Sequence, residues 1–208
     1  KRIIPVLLLK DGRMVKGKKF KDYVDTGSPI TQVKIYTSQY TDELMFIDIQ
    51  ATLKSRKTLL NTISNSAKES QMPFSVGGGI KSLMDIREIL AVGADKVLIN
   101  SSAFENREFI KKAVEKFGSQ AIMLGIDYKY DNQNNKNKVW THCGTKKTDI
   151  EPFELSQIYN DLNVGEIMLN SIDRDGMMTG YDIELTEKVS KAIEIPIILC
   201  GGAGNFSH

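Results

Sequence analysis

Two glycine-rich segments, each directly after a short apolar run, constrain this chain more than any other feature. The first covers residues 73–82 and contains three consecutive glycines, and the second covers residues 196–204. An offset that superposes the two segments also superposes residues 46–48 on residues 169–171. A fixed offset that relates several segments predicts a chain built from a duplicated half.

Each glycine cluster is typical of a phosphate site between a strand and a helix. Residues without side chains let backbone N–H groups approach an anion, and the start of the next helix favours negative charge. Ser82 is suited to cap the helix after the first cluster. A single cluster is more often only a tight turn. Two clusters related by a repeat predict a substrate with a phosphate at each end, bound by Gly78, Gly79, Gly201 and Gly202.

Seven apolar runs alternate with segments of helical periodicity. The runs predict buried strands at residues 3–9, 43–49, 74–76, 96–99, 121–126 and 166–169 and directly before the second glycine cluster. The periodic segments predict helices at residues 31–40, 56–69, 82–92, 107–117, 152–162 and 185–193. This alternation indicates an α/β fold, either a doubly wound sheet or a (β/α)₈ barrel. The duplication, and the polar residues that follow most strands, favour the barrel.

Two segments lack apolar periodicity. Residues 12–28 are rich in lysine and glycine, and their length predicts a functional loop. Residues 128–138 contain four asparagines and predict an exposed excursion or a hairpin that returns through residues 139–141.

Composition restricts the class of protein. The 208 residues, 41% of them hydrophobic, predict a single domain over residues 1–208, and a net charge of +2 gives no reason to expect nucleic acid or a membrane as partner. Cys143 and Cys200 lie far apart, and we find no signal peptide or membrane-length apolar run. We therefore expect a cytoplasmic protein with reduced thiols. His142 and His208 are the only histidines, so no metal site is expected. We also expect no cofactor.

Seven short segments carry a resemblance to a known family: residues 1–5, 10–13, 76–80, 93–97, 117–121, 126–127 and 171–176. In one register, over its whole length, the chain resembles the cyclase subunit of imidazole glycerol phosphate synthase. This resemblance implies a (β/α)₈ barrel that receives ammonia from a glutaminase subunit through the barrel core. With that ammonia the family cleaves and cyclises a phosphoribulosyl aminoimidazole carboxamide nucleotide in histidine biosynthesis.

The resemblance also implies roles for individual residues. Asp127 would be a catalytic carboxylate. A small phosphorylated substrate would be bound by Lys16, Asp48, Gly78, Gly79, Asn100, Ser101, Ser171, Asp175, Gly176, Gly201 and Gly202. A charged ring that gates ammonia at the strand starts, where the glutaminase docks, would consist of Arg2, Glu43, Lys96 and Glu166.

The chain departs from the family pattern in two places. Leu8 stands where the histidine-pathway enzymes carry a second catalytic aspartate, and Asp11 does not replace it by register. Leucine at this position resembles a paralogous group, found beside surface-polysaccharide genes, whose barrel passes ammonia to a separate amidotransferase that builds acetamidino sugars. The chain also stops shortly after the seventh strand, so we expect it to be C-terminally incomplete, without the eighth strand and helix.

Three alternatives stay open. The chain could be a genuine histidine-pathway cyclase with one altered residue. It could be a scaffold that only activates a glutaminase, in which case Asp127 is dispensable. It could be an isomerase of the related aminoimidazole nucleotide, which needs no glutaminase; the context of Asp127 ranks this reading last.

Overall fold

The computed structural model describes residues 1–50 and 60–208, which form two compact units. The first unit comprises Lys1–Lys16 and Val24–Ile99, and the second comprises Gly17–Tyr23 and Asn100–His208. Up to Ile99 the elements are β1 (Val6–Lys10), β2 (Arg13–Lys18), β3 (Lys21–Gly27), α1 (Pro29–Ser38), β4 (Leu44–Asp48), α2 (Leu60–Glu69), β5 (Phe74–Gly77), α3 (Leu83–Ala91) and β6 (Lys96–Ile99).

The first unit is built on four parallel strands in the order β1, β4, β5, β6. All of β5 and nearly all of β4 are buried, as expected for strands that are covered on both faces. The rings of Phe46 and Phe74 pack edge to face in this core, with their centroids 5.6 Å apart. Leu8 pairs with Ile47, and Leu9 pairs with Asp48.

The predicted cap of α3 is confirmed. Ser82 Oγ accepts a hydrogen bond from the backbone N–H of Asp85 at 3.2 Å, and Asp85 Oδ2 accepts one from the backbone N–H of Ser82 at 3.0 Å. This reciprocal pair is a capping box, which fixes the start of the helix directly after the first glycine cluster.

The prediction that residues 12–28 form a loop is wrong, because they contain β2 and β3. The two strands are joined by Lys19 and Phe20, which both have positive φ, as in a type I′ hairpin turn. Neither residue is the glycine or asparagine that usually marks this turn. Since β3 is almost entirely exposed, the sequence also lacks the apolar alternation of a half-buried strand.

The second unit carries the remaining elements in chain order. They are α4 (Ser101–Glu105), α5 (Arg107–Phe117), β7 (Ile122–Asp131), β8 (Lys136–Thr141), β9 (Lys146–Lys147), α6 (Pro152–Asn160), β10 (Glu166–Ser171), α7 (Ile183–Ser190) and β11 (Ile197–Cys200). Strands β7, β10 and β11 are parallel neighbours in that order, and Asp127 pairs with Asn170. Strand β7 continues to Asp131 and forms a hairpin with β8, which confirms the predicted hairpin that returns through residues 139–141.

The predicted α/β class and strand–helix alternation of a (β/α) barrel are confirmed. The four parallel strands of the first unit and the three of the second correspond to the seven predicted strands. The predicted start of the second helix, residues 56–59, lies outside the described residues. Within the described part of the chain, the helices are too short or too polar to cross a bilayer.

Candidate functional site

Asp127 lies on β7 and is held by two amide side chains. Asn100 Nδ2 donates to its Oδ2 at 2.8 Å, and Asn170 Nδ2 donates to its Oδ1 at 2.9 Å. Asp127 is only 7% exposed, so the two amides replace much of the solvation that the carboxylate would have in water. Each oxygen accepts from a different donor, an arrangement that suits the ionised carboxylate better than the protonated acid.

The surroundings shift the pKa of Asp127 toward neutral pH. Burial raises the pKa of Asp127 to about 6, because desolvation disfavours the charge. The hydrogen bonds from Asn170 and Asn100 lower this pKa, and the charge of Asp175 raises it. A carboxyl group with such a pKa can take up and release a proton near pH 7. Asp127 is therefore suited to the acid–base role predicted for it.

A tyrosine of the β3 strand belongs to the same unit as Asp127. Burial, followed by the charges of Cys143, Asp175 and Asp127, raises the pKa of Tyr23 far above its usual value. The phenol of Tyr23 is therefore a neutral hydrogen-bond donor at physiological pH. Nothing in the sequence pattern of residues 12–28 indicated this residue.

Gly78 and Gly201, one in each glycine cluster, make the same kind of close backbone contact in their respective units. A Cβ built on Gly78, at φ +108°, would overlap the carbonyl oxygen of Asp48. A Cβ built on Gly201, at φ +87°, would lie 2.5 Å from the carbonyl oxygen of Ser171. The sequence offset superposes Gly78 on Gly201 and Asp48 on Ser171, so the predicted repeat extends to this contact. The close approach to the preceding strand requires glycine whether or not an anion binds, and phosphate binding stays a prediction.

We predict that Gly78→Ala destabilises the protein by about 3 kcal/mol, because it adds an overlap to an unfavourable φ. Gly12→Ala is the matched control. Gly12 also has a positive φ, of +76°, but a Cβ there meets no described atom within 4 Å, so a loss of about 1 kcal/mol is expected. Chemical denaturation measures both changes. Equal losses would show that the close approach at Gly78 is unimportant.

The second phosphate site was predicted to include Asp175 and Gly176. Both residues contact the β2–β3 hairpin at or near its turn. The Asp175 carbonyl accepts from the Lys19 N–H at 2.9 Å, and its Oδ2 accepts from the Phe20 N–H at 3.4 Å. A Cβ on Gly176 would overlap the carbonyl oxygen of Gly17. These contacts stabilise the hairpin turn, a role that the sequence did not indicate.

Most of the other predicted binding residues lie at strand ends, and Lys16 lies within a strand. In the second unit, Ser101 Oγ accepts from the His142 N–H at 2.9 Å, and Ser171 is buried at the end of β10. In the first unit, Asp48 is buried at the end of β4, and Lys16 is exposed on β2. Gly79 has a positive φ of +68°, and Gly202 one of +108°.

Three of the four predicted gate residues form one cluster in the first unit. Glu43 is 2% exposed and lies between Arg2 Nη1, at 2.8 Å, and Lys96 Nζ, at 3.3 Å. Ser75 Oγ donates to Glu43 Oε1 at 2.9 Å. Glu166 is buried at the start of β10 in the second unit. The buried Glu43 carboxylate is thus compensated by two cations and a hydroxyl group.

Sequence reasoning missed two polar residues of these clusters, Ser75 and Asn170. Ser75 interrupts the apolar part of β5, in Pro-Phe-Ser-Val, and Asn170 ends the apolar run 167–169 of β10, in Met-Leu-Asn-Ser. A polar residue within such a run needs a buried partner. That interruption was the available signal for both residues.

A comparison with protein-family models identifies the group of proteins to which the chain is similar. The model described as histidine biosynthesis protein matches residues 2–208. The match includes both units and every residue of the clusters around Asp127 and Glu43.

Proposed function

The chain belongs to the histidine biosynthesis protein family, and from that premise we propose that it is an ammonia-handling barrel of the cyclase-subunit type. In this proposal it takes glutamine-derived ammonia from a glutaminase subunit. It then supplies ammonia to an amidotransferase that builds acetamidino sugars for a surface polysaccharide. Members of the family are generally enzymes of histidine biosynthesis, so a histidine-pathway cyclase is the alternative.

The position of Leu8 is the observation that favours ammonia supply over a histidine-pathway cyclase. The repeat superposes Ile47 on Asn170, and these two residues pair with Leu8 and Asp127, respectively. Leu8 therefore holds in the first unit the position that Asp127 holds in the second. A missing acid–base group reduces a rate by roughly 10²–10⁴-fold. A chain with one carboxylate at these two positions is better suited to handling ammonia than to closing the imidazole ring.

The cluster around Glu43 supports an ammonia route. Glu43 directly precedes β4 and Lys96 begins β6, so the cluster lies at the strand starts, at the end of β4 opposite to Asp48. In the proposal, a glutaminase subunit docks there and ammonia passes the Glu43 cluster. The ion pairs are mostly buried on the Glu43 side, so their removal should have a larger effect than removal of surface pairs.

We predict that Lys96→Ala lowers glutamine-dependent ammonia transfer about tenfold relative to ammonium-dependent transfer. The substitution removes a charge-assisted bond to Glu43, which is worth about 1.5–3 kcal/mol. Lys34→Ala is the control, because Lys34 pairs with Glu69 in an exposed ion pair of the same unit. Both rates are measured with the glutaminase subunit present. An unchanged ratio in Lys96→Ala would exclude the gate role.

Isolation of the protein with its partners tests the proposal as a whole. Affinity purification of the protein from cells that express the neighbouring genes is expected to recover a glutaminase subunit. Addition of ¹⁵N-amide glutamine and the amidotransferase should then place ¹⁵N in the acetamidino sugar. Recovery of the glutaminase with ¹⁵N only in an imidazole product would favour the histidine-pathway alternative.

A further inference from the structure

Asn170 is an amide in a strand that is buried at every residue. It is 7% exposed, and burial of an amide is unfavourable unless its polar atoms have partners. Its Nδ2 donates to Asp127 Oδ1 at 2.9 Å, whereas its Oδ1 has no hydrogen-bond partner among the described residues. The side chain thus donates to Asp127 and leaves its own carbonyl oxygen without a partner among the described residues.

The internal repeat shows what this strand position needs for folding alone. In the first unit the equivalent residue is Ile47, which pairs with Leu8, so both members of that pair are apolar. In the second unit both members, Asn170 and Asp127, are polar. This strand position thus carries an apolar residue where its cross-strand neighbour is apolar, and an amide where that neighbour is a carboxylate.

We propose that Asn170 is a positioning residue, which holds the Asp127 carboxylate in its ionised form and in a fixed orientation. Only Nδ2 of an amide can donate to a carboxylate, so the bond to Asp127 determines which way the amide faces and leaves Oδ1 unpaired. The inference rests on the proposed function only in assigning proton transfer to Asp127. The effect of Asn170 on Asp127 can be measured without any substrate.

The other groups near Asp127 also affect whether its carboxyl group is protonated or ionised. Burial and the charge of Asp175 both favour the protonated form of Asp127, and Asn100 is the second donor that favours the ionised form. Burial, with a smaller contribution from the charge of Asp127, raises the pKa values of Tyr23 and Tyr159, which therefore stay neutral. Without Asn170, one donor faces the combined effects of burial and Asp175, so Asp127 should bind its proton more tightly.

The test is a ¹³C NMR titration of the Asp127 carboxyl group in the whole chain, assigned with Asp127→Asn. Asn170→Ile introduces the residue found at the equivalent position of the first unit. We expect its titration midpoint to lie about one pH unit above that of the wild type, since one charge-assisted hydrogen bond is lost. Asn170→Val should give the same result with a smaller side chain, in case isoleucine does not fit.

The control is Asn134→Ile. Asn134 Nδ2 donates to Asp131 Oδ2 at 2.6 Å, an amide–carboxylate pair of the same kind in the β7–β8 hairpin. This substitution should leave the Asp127 midpoint unchanged. A wild-type midpoint in a folded Asn170→Ile or Asn170→Val protein would overturn the inference, as would an equal rise in Asn134→Ile.

Enzyme assays separate this inference from the proposed function. If the NMR midpoint rises in Asn170→Ile, the positioning role is supported even where no ammonia transfer is detected, and only the proposed function is then lost. Where transfer is detected and depends on Asp127, the acid limb of its pH profile should move upward with the NMR midpoint. An acid limb that stays in place while transfer still needs Asp127 would overturn the positioning role.

Discussion

Leu8→Asp is expected to raise ammonium-dependent cyclisation of the phosphoribulosyl nucleotide by about 10²-fold or more. The substitution restores a carboxyl group at the position equivalent to Asp127, beside Ile47. Leu8 is half-buried, whereas Leu7 and Leu9 on either side are buried, so β1 should accept a charge at this position better than at its neighbours. The rate is measured with ammonium salt and no glutaminase.

Leu8→Asn is the matched control, because it has the shape of aspartate without the ability to exchange a proton. It should leave the rate at the wild-type level. Adding Ile47→Asn to Leu8→Asp copies the Asp127–Asn170 pair into the first unit and should increase the ionised fraction of the introduced carboxyl group. Equal rates for Leu8→Asn and Leu8→Asp would show that the carboxyl group at this position does not explain the missing activity.

Asp127→Asn is expected to abolish the activity gained in Leu8→Asp, with a loss of about 10²–10⁴-fold. The variant should still fold, since Asn170 can turn its unpaired Oδ1 toward the new amide. The rate of the double variant is compared with that of Leu8→Asp alone. If the protein were only a scaffold that activates a glutaminase, Asp127→Asn would also leave ammonia transfer by the otherwise wild-type protein unchanged.

The same substitution should change how stability depends on pH. The pKa of Asp127 is about 6 in the folded protein and near 3.8 when unfolded, so the folded state binds this proton more tightly. The stabilising contribution of that proton is present below about pH 4 and is lost as the pH rises through about 6. Asp127→Asn should therefore be more stable than wild type at pH 8, by a margin that shrinks toward pH 4. Urea denaturation at several pH values measures this, and a constant margin would contradict it.

The sequence predicted those parts of the fold whose signals are local. The strand Lys96–Ile99, the helix Arg107–Phe117 and the cap at Ser82 follow from apolar runs and capping chemistry. The repeat that links Gly78 with Gly201 was also visible, because close backbone contact leaves no alternative to glycine.

The features that the sequence did not reveal depend on tertiary contacts. The turn at Lys19 and Phe20 is stabilised by Asp175, more than 150 residues away along the chain, so no local pattern indicated it. Asn170 was likewise overlooked, since its role depends on a cross-strand neighbour, Asp127, rather than on its own surroundings in the sequence. Such pairs become visible only when the strand register is known.

The most direct test of the central claim is the cyclisation rate of the wild-type protein itself. Purified protein is given saturating ammonium salt and the phosphoribulosyl nucleotide, which bypasses any partner, and imidazole product is followed beside Leu8→Asp. The account predicts a wild-type rate of about one hundredth of the variant rate or less. A wild-type rate equal to or above that of Leu8→Asp would contradict it and identify the chain as a functional histidine-pathway cyclase.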